Sequence, residues 1–287
     1  MAQVVCVHGI GQQYAGEQEL LASWYTALSD GLTRAQAPPL VADDLSCAFY
    51  GHLFRPPGRT LSVLDPPLDA SDVADGYETE LLLALWAEAA RTDEAVAGPG
   101  DRTLARTPRP VQRALAALSR SRFFADVALR SLVLDLKQVR AYLCDPAVRG
   151  SVRRVVEDTV TDRTRVVIGH SLGSVVAYEA LCAHPEWPVR TLLTLGSPLG
   201  IRNLVFDRLY AGEGGKPGGW PGGVERWTNI ADAGDVVALV KDLGPLFGKR
   251  VAGHLVHNGA RAHDATRYLN TPEAGLAVAG GLGAGPG

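Results

Sequence analysis

The stretch VVIGHSLGSVVAYEAL, residues 166–181, begins as a β-branched run and ends as a helix pattern. Between the two lies Gly169-His170-Ser171-Leu172-Gly173, a serine with a glycine two residues before it and another two after. Glycines in those places let a strand turn sharply into a helix, with strained backbone at the serine and its hydroxyl exposed. The helix N-terminus beside it offers free N–H groups and a positive dipole end to a developing oxyanion. By itself the pentapeptide is equally a glycine-rich turn without chemistry. The neighbouring segments have to decide.

Working outward, the first strand pattern covers residues 2–7 and runs into His8-Gly9-Ile10-Gly11. A helix follows over about 17–36, with Leu20, Leu21, Trp24, Leu28 and Leu32 at mainly three- and four-residue steps. Residues 44–50 read as a second strand, and a Pro- and Gly-rich segment at 55–67 breaks the pattern. Helices are expected at about 72–91, 109–119, 122–144 and 147–161. The third carries Leu129, Leu132, Val133, Leu136, Val139 and Leu143 on one broad stripe. Strands resume at 165–168, before the Ser171 turn and a helix to about 183, and again at 189–195.

Beyond Gly196-Ser197-Pro198-Leu199-Gly200, the sequence predicts a short helix over 201–210 and a flexible glycine-rich loop over 212–223. Strands at 224–230 and near 251–256 follow, then a last helix over 263–269 or 271–279 and a frayed tail, GGLGAGPG. Strands alternating with helices predict an α/β fold, a mostly parallel central sheet with helices on both faces. One domain spans 1–287, with a helical insertion of about 70–145 before the strand that leads into Ser171. In such sheets chemistry gathers at the carboxyl ends of the strands, where the polar motifs of this chain fall.

Composition narrows the function classes. A net charge of −3 leaves no basic footprint for nucleic acid. Cys6, Cys47, Cys144 and Cys182 are far apart and form no Cys-x-x-Cys, so neither a metal site nor a disulfide framework is expected. Cys6 and Cys47 lie in strand-like runs as small hydrophobes. No apolar run approaches the roughly 20 residues of a transmembrane segment. The strand beginning at residue 2 leaves no room for a signal peptide, and the expectation is a soluble, cytoplasmic protein. A dinucleotide fingerprint after the first strand fails on spacing, because its third glycine would fall on Tyr14. No cofactor is expected.

The motifs VVCVHGIG (4–11), VVIGHSLGS (166–174) and LGSPLG (195–200), with the late Asp and His segments, resemble those of the α/β-hydrolase superfamily, specifically its lipase- and esterase-like members. The resemblance does not cover the helical block. It implies an α/β-hydrolase fold whose sheet begins directly at the oxyanion strand. It makes Ser171 the nucleophile, with backbone N–H groups of Ile10 and Leu172 as the oxyanion hole. The Gly-Ser-Pro segment at 196–198 is then pocket wall. The helical block is either a lid or a layer that extends the core, since amphipathic stripes fit both, and its place before the nucleophile strand differs from the best-known lids. Phe123-Phe124 and Trp86 are read as core anchors.

A serine hydroxyl needs a base, and the base needs a third group to hold it. His8 and His170 sit beside the motifs and read as structural or pocket-lining, while His52 and His184 come before or too near the serine for the order Ser, acid, His. His263 is favoured over His257 and His254, because it lies after the last strand and before a helix pattern. Asp235 is favoured as the acid over Asp232, which could instead cap the turn. The expected activity is hydrolysis of a small-molecule or lipid carboxylic ester through an acyl-enzyme. A serine peptidase or amidase, a hydrolytic effector module acting with partner proteins, and a non-catalytic α/β-hydrolase-like binding protein are the alternatives. The sequence names no protein partner.

Overall fold

The computed structural model describes residues 2–55, 68–100, 110–121, 123, 129–210 and 216–283. Strands β1 (Val4–Val7), β2 (Leu45–Ala48), β3 (Val166–His170), β4 (Thr191–Leu195), β5 (Arg226–Asp232) and β6 (Val251–Val256) pair in one parallel sheet, in the order β2-β1-β3-β4-β5-β6. The helices are α1 (Glu17–Arg34), α2 (Tyr77–Thr92), α3 (Pro110–Leu118), α4 (Leu129–Cys144) and α5 (Pro146–Thr159) before the Ser171 turn. After it come α6 (Leu172–Ala183), α7 (Gly244–Phe247), α8 (Ala265–Leu269) and α9 (Pro272–Gly281). No described helix is long and apolar enough to cross a membrane.

The period of two along a strand sorts the core into two layers. Val4 and Cys6 of β1 join Trp24, Leu28, Leu269 and Val278 under α1, α8 and α9. Val5 and Val7 face the opposite way, into a cluster that includes Val152 of α5 and Val175 of α6. The helical block belongs to that second cluster, since Leu82, Trp86, Leu115 and Leu136 pack into it without a break. β1 is flanked by β2 on one side and β3 on the other. The chain therefore reverses direction across the sheet between β1 and β3, and opens a crevice at their carboxyl ends.

Helix α6 is buried on all sides from Leu172 to Leu181, including Glu179. That carboxylate accepts hydrogen bonds from the Tyr142 hydroxyl (2.6 Å), Arg149 Nε (2.8 Å) and Tyr210 N–H (3.0 Å). A buried charge satisfied in this way ties α6 to α4 and α5, and removing one partner would leave the other uncompensated.

Several expected elements differ. The helix over 201–210 is reduced to a 3₁₀ turn, Phe206–Arg208. Asn203 takes a left-handed φ of 64° and donates its N–H to Asp207 at 2.6 Å, which interrupts the helix. Residues 216–223 of the expected flexible loop are mostly exposed but anchored at two points: Tyr178 donates to the Gly219 carbonyl at 2.8 Å, and Trp220 donates to the Val224 carbonyl at 2.6 Å while its ring meets Trp227. Both alternative last helices form, as α8 and α9, because Thr271 caps the second and Pro272 opens it. The expected tail begins inside α9, which runs through Gly281. The short α7 was not expected. Residues 56–67, 109, 122, 124–128, 211–215 and 284–287 of the expected segments lie outside the described residues.

Candidate active site

Ser171 stands between β3 and α6 with φ 53° and ψ −130°, a conformation that costs a non-glycine residue about 1–3 kcal/mol. Its glycine neighbours are required by close approach. A Cβ on Gly169 would lie 2.5 Å from Ser174 Cα, and one on Gly173 would run into the Val7 and His8 carbonyl oxygens. Strand β3 can thus pass directly beneath α6, and α6 can press onto β1. Leu172 is the first residue of α6, so its N–H has no acceptor within the helix. Ser174 fastens the turn by donating to the Ser171 carbonyl at 2.6 Å, and its hydroxyl also meets that of Ser197 at 2.6 Å.

Asp235 lies just past the end of β5 and is fully buried. Its Oδ1 accepts the N–H groups of Val237 (2.9 Å) and Ala238 (3.3 Å). Its Oδ2 accepts from His263 Nδ1 at 2.8 Å and from the Tyr268 hydroxyl at 2.7 Å. Burial pushes the carboxyl pKa up, but the charge of His263 and these hydrogen bonds outweigh it and hold the group below the ordinary carboxylate range. Of the two candidate acids, Asp235 meets His263. Asp232 ends β5 and accepts from Gly234 N–H at 2.6 Å and from Asn258 N–H, the turn-capping role. A Cβ on Gly196, which has φ 54°, would sit 2.7 Å from Asp235 Oδ2 and 3.0 Å from His263 Nδ1, so the residue after β4 must be glycine to admit the pair.

His263 lies just before Asp264, the N-cap of α8, which accepts Thr266 N–H at 2.8 Å. The cap starts the helix abruptly and keeps His263 on the preceding loop. His170 Nε2 donates to the His263 carbonyl at 2.7 Å, and the two rings lie 4.7 Å apart. Loss of water, followed by the nearby charge of His263, lowers the pKa of His170 to about 3, so it is neutral at pH 7 and acts as a fixed donor. His254 lies exposed on β6 and His257 is exposed just after it.

Ser171, Leu172, Ile10, His170 and His263 line one cavity of about 430 Å³, whose remaining walls are mostly apolar side chains from α2, α4 and the loops after β4 and β5. No hydrogen bond joins the Ser171 and His263 side chains among the described residues. A second cavity of about 370 Å³ shares Ile10, His170 and His263 and extends towards Trp24 of α1. His8 is buried beneath the Ile10 loop, bonded through Nδ1 to the Gly9 carbonyl at 2.6 Å and accepting Tyr50 N–H on Nε2 at 3.0 Å. Burial lowers its pKa to about 4, which matches a loop-shaping role and not proton transfer. From α4, Gln138 accepts Gly11 N–H at 3.3 Å and donates to Gln13 Oε1 at 3.0 Å, so the helical block also holds this loop.

Phe123, expected in the core, packs against it half-buried and also lines the cavity, with its ring 5.9 Å from that of His263. Trp86 is buried as expected, and Phe124 lies outside the described residues. Sequence reasoning missed Tyr268 and Gln138, whose partners are 33 and 127 residues away and leave no local pattern. It also missed Asp135, although an acid on the apolar stripe of α4 was visible. No family model matches the chain, and neither a curated protein nor a solved structure is significantly similar to it.

Proposed function

We propose that this chain is an α/β hydrolase of the lipase- and esterase-like kind, cleaving carboxylic esters with Ser171 as nucleophile, His263 as base and Asp235 as the group that orients it. One observation carries the proposal: a serine held in strained backbone shares a cavity with an imidazole fixed by a buried, fully hydrogen-bonded carboxylate. Strain at a functional turn persists only where its surroundings over-determine it, as the glycine contacts here do.

The carboxylate accepts from Nδ1, so the lone pair of the imidazole is on Nε2, the nitrogen free to take a proton. Ser171 and His263 come into hydrogen-bond distance as substrate binds, a tightening common at such sites. Ser171 Oγ attacks the ester carbonyl while its proton passes to Nε2. The oxyanion takes the N–H groups of Leu172 and Ile10. The alcohol leaves with the proton from Nε2, giving an acyl-serine. Water then attacks, Nε2 takes its proton and returns it to Ser171, and the carboxylic acid departs. Loss of a single oxyanion donor lowers the rate roughly 10²–10³-fold in comparable sites. The apolar walls favour esters with an apolar part, and the helical block shapes them.

A panel of p-nitrophenyl esters of rising chain length, with peptide p-nitroanilides alongside, tests this. Ester turnover with a burst of one p-nitrophenol per chain is expected. Turnover of the anilides alone would transfer the activity to amide bonds, and turnover of the esters undiminished in Ser171→Ala would refute the mechanism.

A further inference from the structure

The cavity beside Ser171 is walled by side chains such as Leu81, Leu85, Phe123, Leu132 and Val139, yet two carboxylates, Asp135 and Asp264, also line it. Asp135 lies on α4 three residues after Leu132 and four before Val139, the spacing that puts side chains on one helix face. The other ionisable groups in the lining are accounted for. His170 and His263 hold or perform the chemistry, while Asp264 caps α8 and pairs with Arg261 at 3.6 Å. Asp135 makes no hydrogen bond with any described residue. Burial pushes its pKa up to about 7, against the opposing charge of His263. Asp135 is half-buried at the cavity wall, and a carboxylate that loses part of its water without gaining a donor is destabilising, which an apolar residue of similar size would relieve. Its place is also informative. Asp135 Oδ1 stands 3.6 Å from where a Cβ on Gly11 would be, beside the residue that follows Ile10. The carboxylate therefore lies near the reacting carbonyl and not at the far end of the cavity.

We infer that Asp135 selects esters carrying a hydrogen-bond donor, a hydroxyl or an ammonium group, close to the scissile carbonyl of an otherwise apolar chain. The inference rests on the hydrolase function proposed above, because it takes the cavity to be the substrate site. The donor of the ligand supplies the partner that the described residues do not.

Binding without turnover tests it. In the Ser171→Ala protein, dissociation constants are measured by calorimetry for methyl octanoate, methyl 3-hydroxyoctanoate and methyl 3-aminooctanoate. At least one of the two substituted esters should bind about tenfold tighter than the plain one, the gain expected of a hydrogen bond to a charged or half-charged group. Preference for the hydroxy ester alone assigns a neutral donor, and preference for the amino ester alone a cation. Adding Asp135→Leu should bring all three affinities together. Asp135→Asn, nearly isosteric and checked by thermal melting, should keep preference for the hydroxyl, which an amide oxygen can accept, and lose that for ammonium. Equal affinities for all three esters in Ser171→Ala, or a preference that survives Asp135→Leu, would overturn the inference. Ser171-dependent ester hydrolysis combined with equal affinities would leave the proposed activity standing and remove only the role of Asp135. A donor preference in a protein that hydrolyses no ester would do the reverse.

Discussion

The turn after β3 and the helical block above it are built in opposite ways. At the turn, backbone meets backbone: Gly169 lies against Ser174 and Gly173 against Val7 and His8, while Gly196 leaves room for the Asp235 and His263 side chains. In the block, side chain meets side chain, as Leu82, Trp86, Leu115 and Leu136 interlock in the core. Backbone contacts at that distance admit no added atom, whereas a packed layer adjusts to changes of volume at modest cost. The first fixes where the Ser171 hydroxyl stands. The second fixes only what shape surrounds it.

Substitutions can break that contrast, and the largest effects belong to the turn. Ser171→Ala should lower kcat roughly a millionfold with the fold intact, measured as ester hydrolysis. Asp235→Asn should lower it about 10⁴-fold, since the imidazole loses the acceptor that fixes its tautomer. Gly173→Ala should destabilise the protein by more than about 4 kcal/mol in urea unfolding, because the methyl group forces α6 away from β1. Tyr268→Phe removes one donor to Asp235 and should cost about tenfold in kcat. In the wall of the block, Val139→Ala should alter the preferred ester chain length with only a few-fold change in kcat/KM. A wall substitution as damaging as Gly173→Ala would erase the distinction.

Acid unfolding gives the comparison a second axis. His8 and His170 flank the turn with pKa values lowered to about 4 and about 3. The unfolded chain binds their protons first, near pH 6.5. Their contribution is thus complete above about pH 6.5 and is lost as pH falls through the folded values. Asp135 acts with the opposite sign. Its folded pKa, raised to about 7, means that the native state takes up its proton first, so acidification from about 7 to about 4 relieves its burial. Stability should therefore fall below about pH 6.5, less steeply in His8→Gln and more steeply in Asp135→Asn. Equal slopes in all three proteins would contradict these assignments.

What could be read in the sequence follows the same division. The Gly-x-Ser-x-Gly turn, the His8-Gly9 loop and the order of Ser171, Asp235 and His263 are local patterns at strand ends, and period-2 and period-3.6 apolarity marked most of the elements. The roles of Tyr268, Gln138 and Phe123 depend on how distant segments dock, and a single sequence carries no period for that. Asn203 shows a smaller failure: a left-handed residue captured by Asp207 ended a helix that the apolar spacing of Ile201, Leu204 and Val205 favoured. The loop over 216–223 shows the converse, since composition marked it as flexible while Trp220 and the Gly219 carbonyl anchor it.

The central claim is that Ser171 is an activated nucleophile, and covalent labelling tests it most directly. The protein is treated with a fluorophosphonate at pH 7 and digested, and the adduct is mapped by mass spectrometry. One phosphonyl group per chain on the peptide containing Ser171 is the predicted result, with no adduct in Ser171→Ala and sharply slowed labelling in His263→Ala. Wild-type protein that stays unlabelled, or Ser171→Ala that labels as fast as wild type, would contradict it.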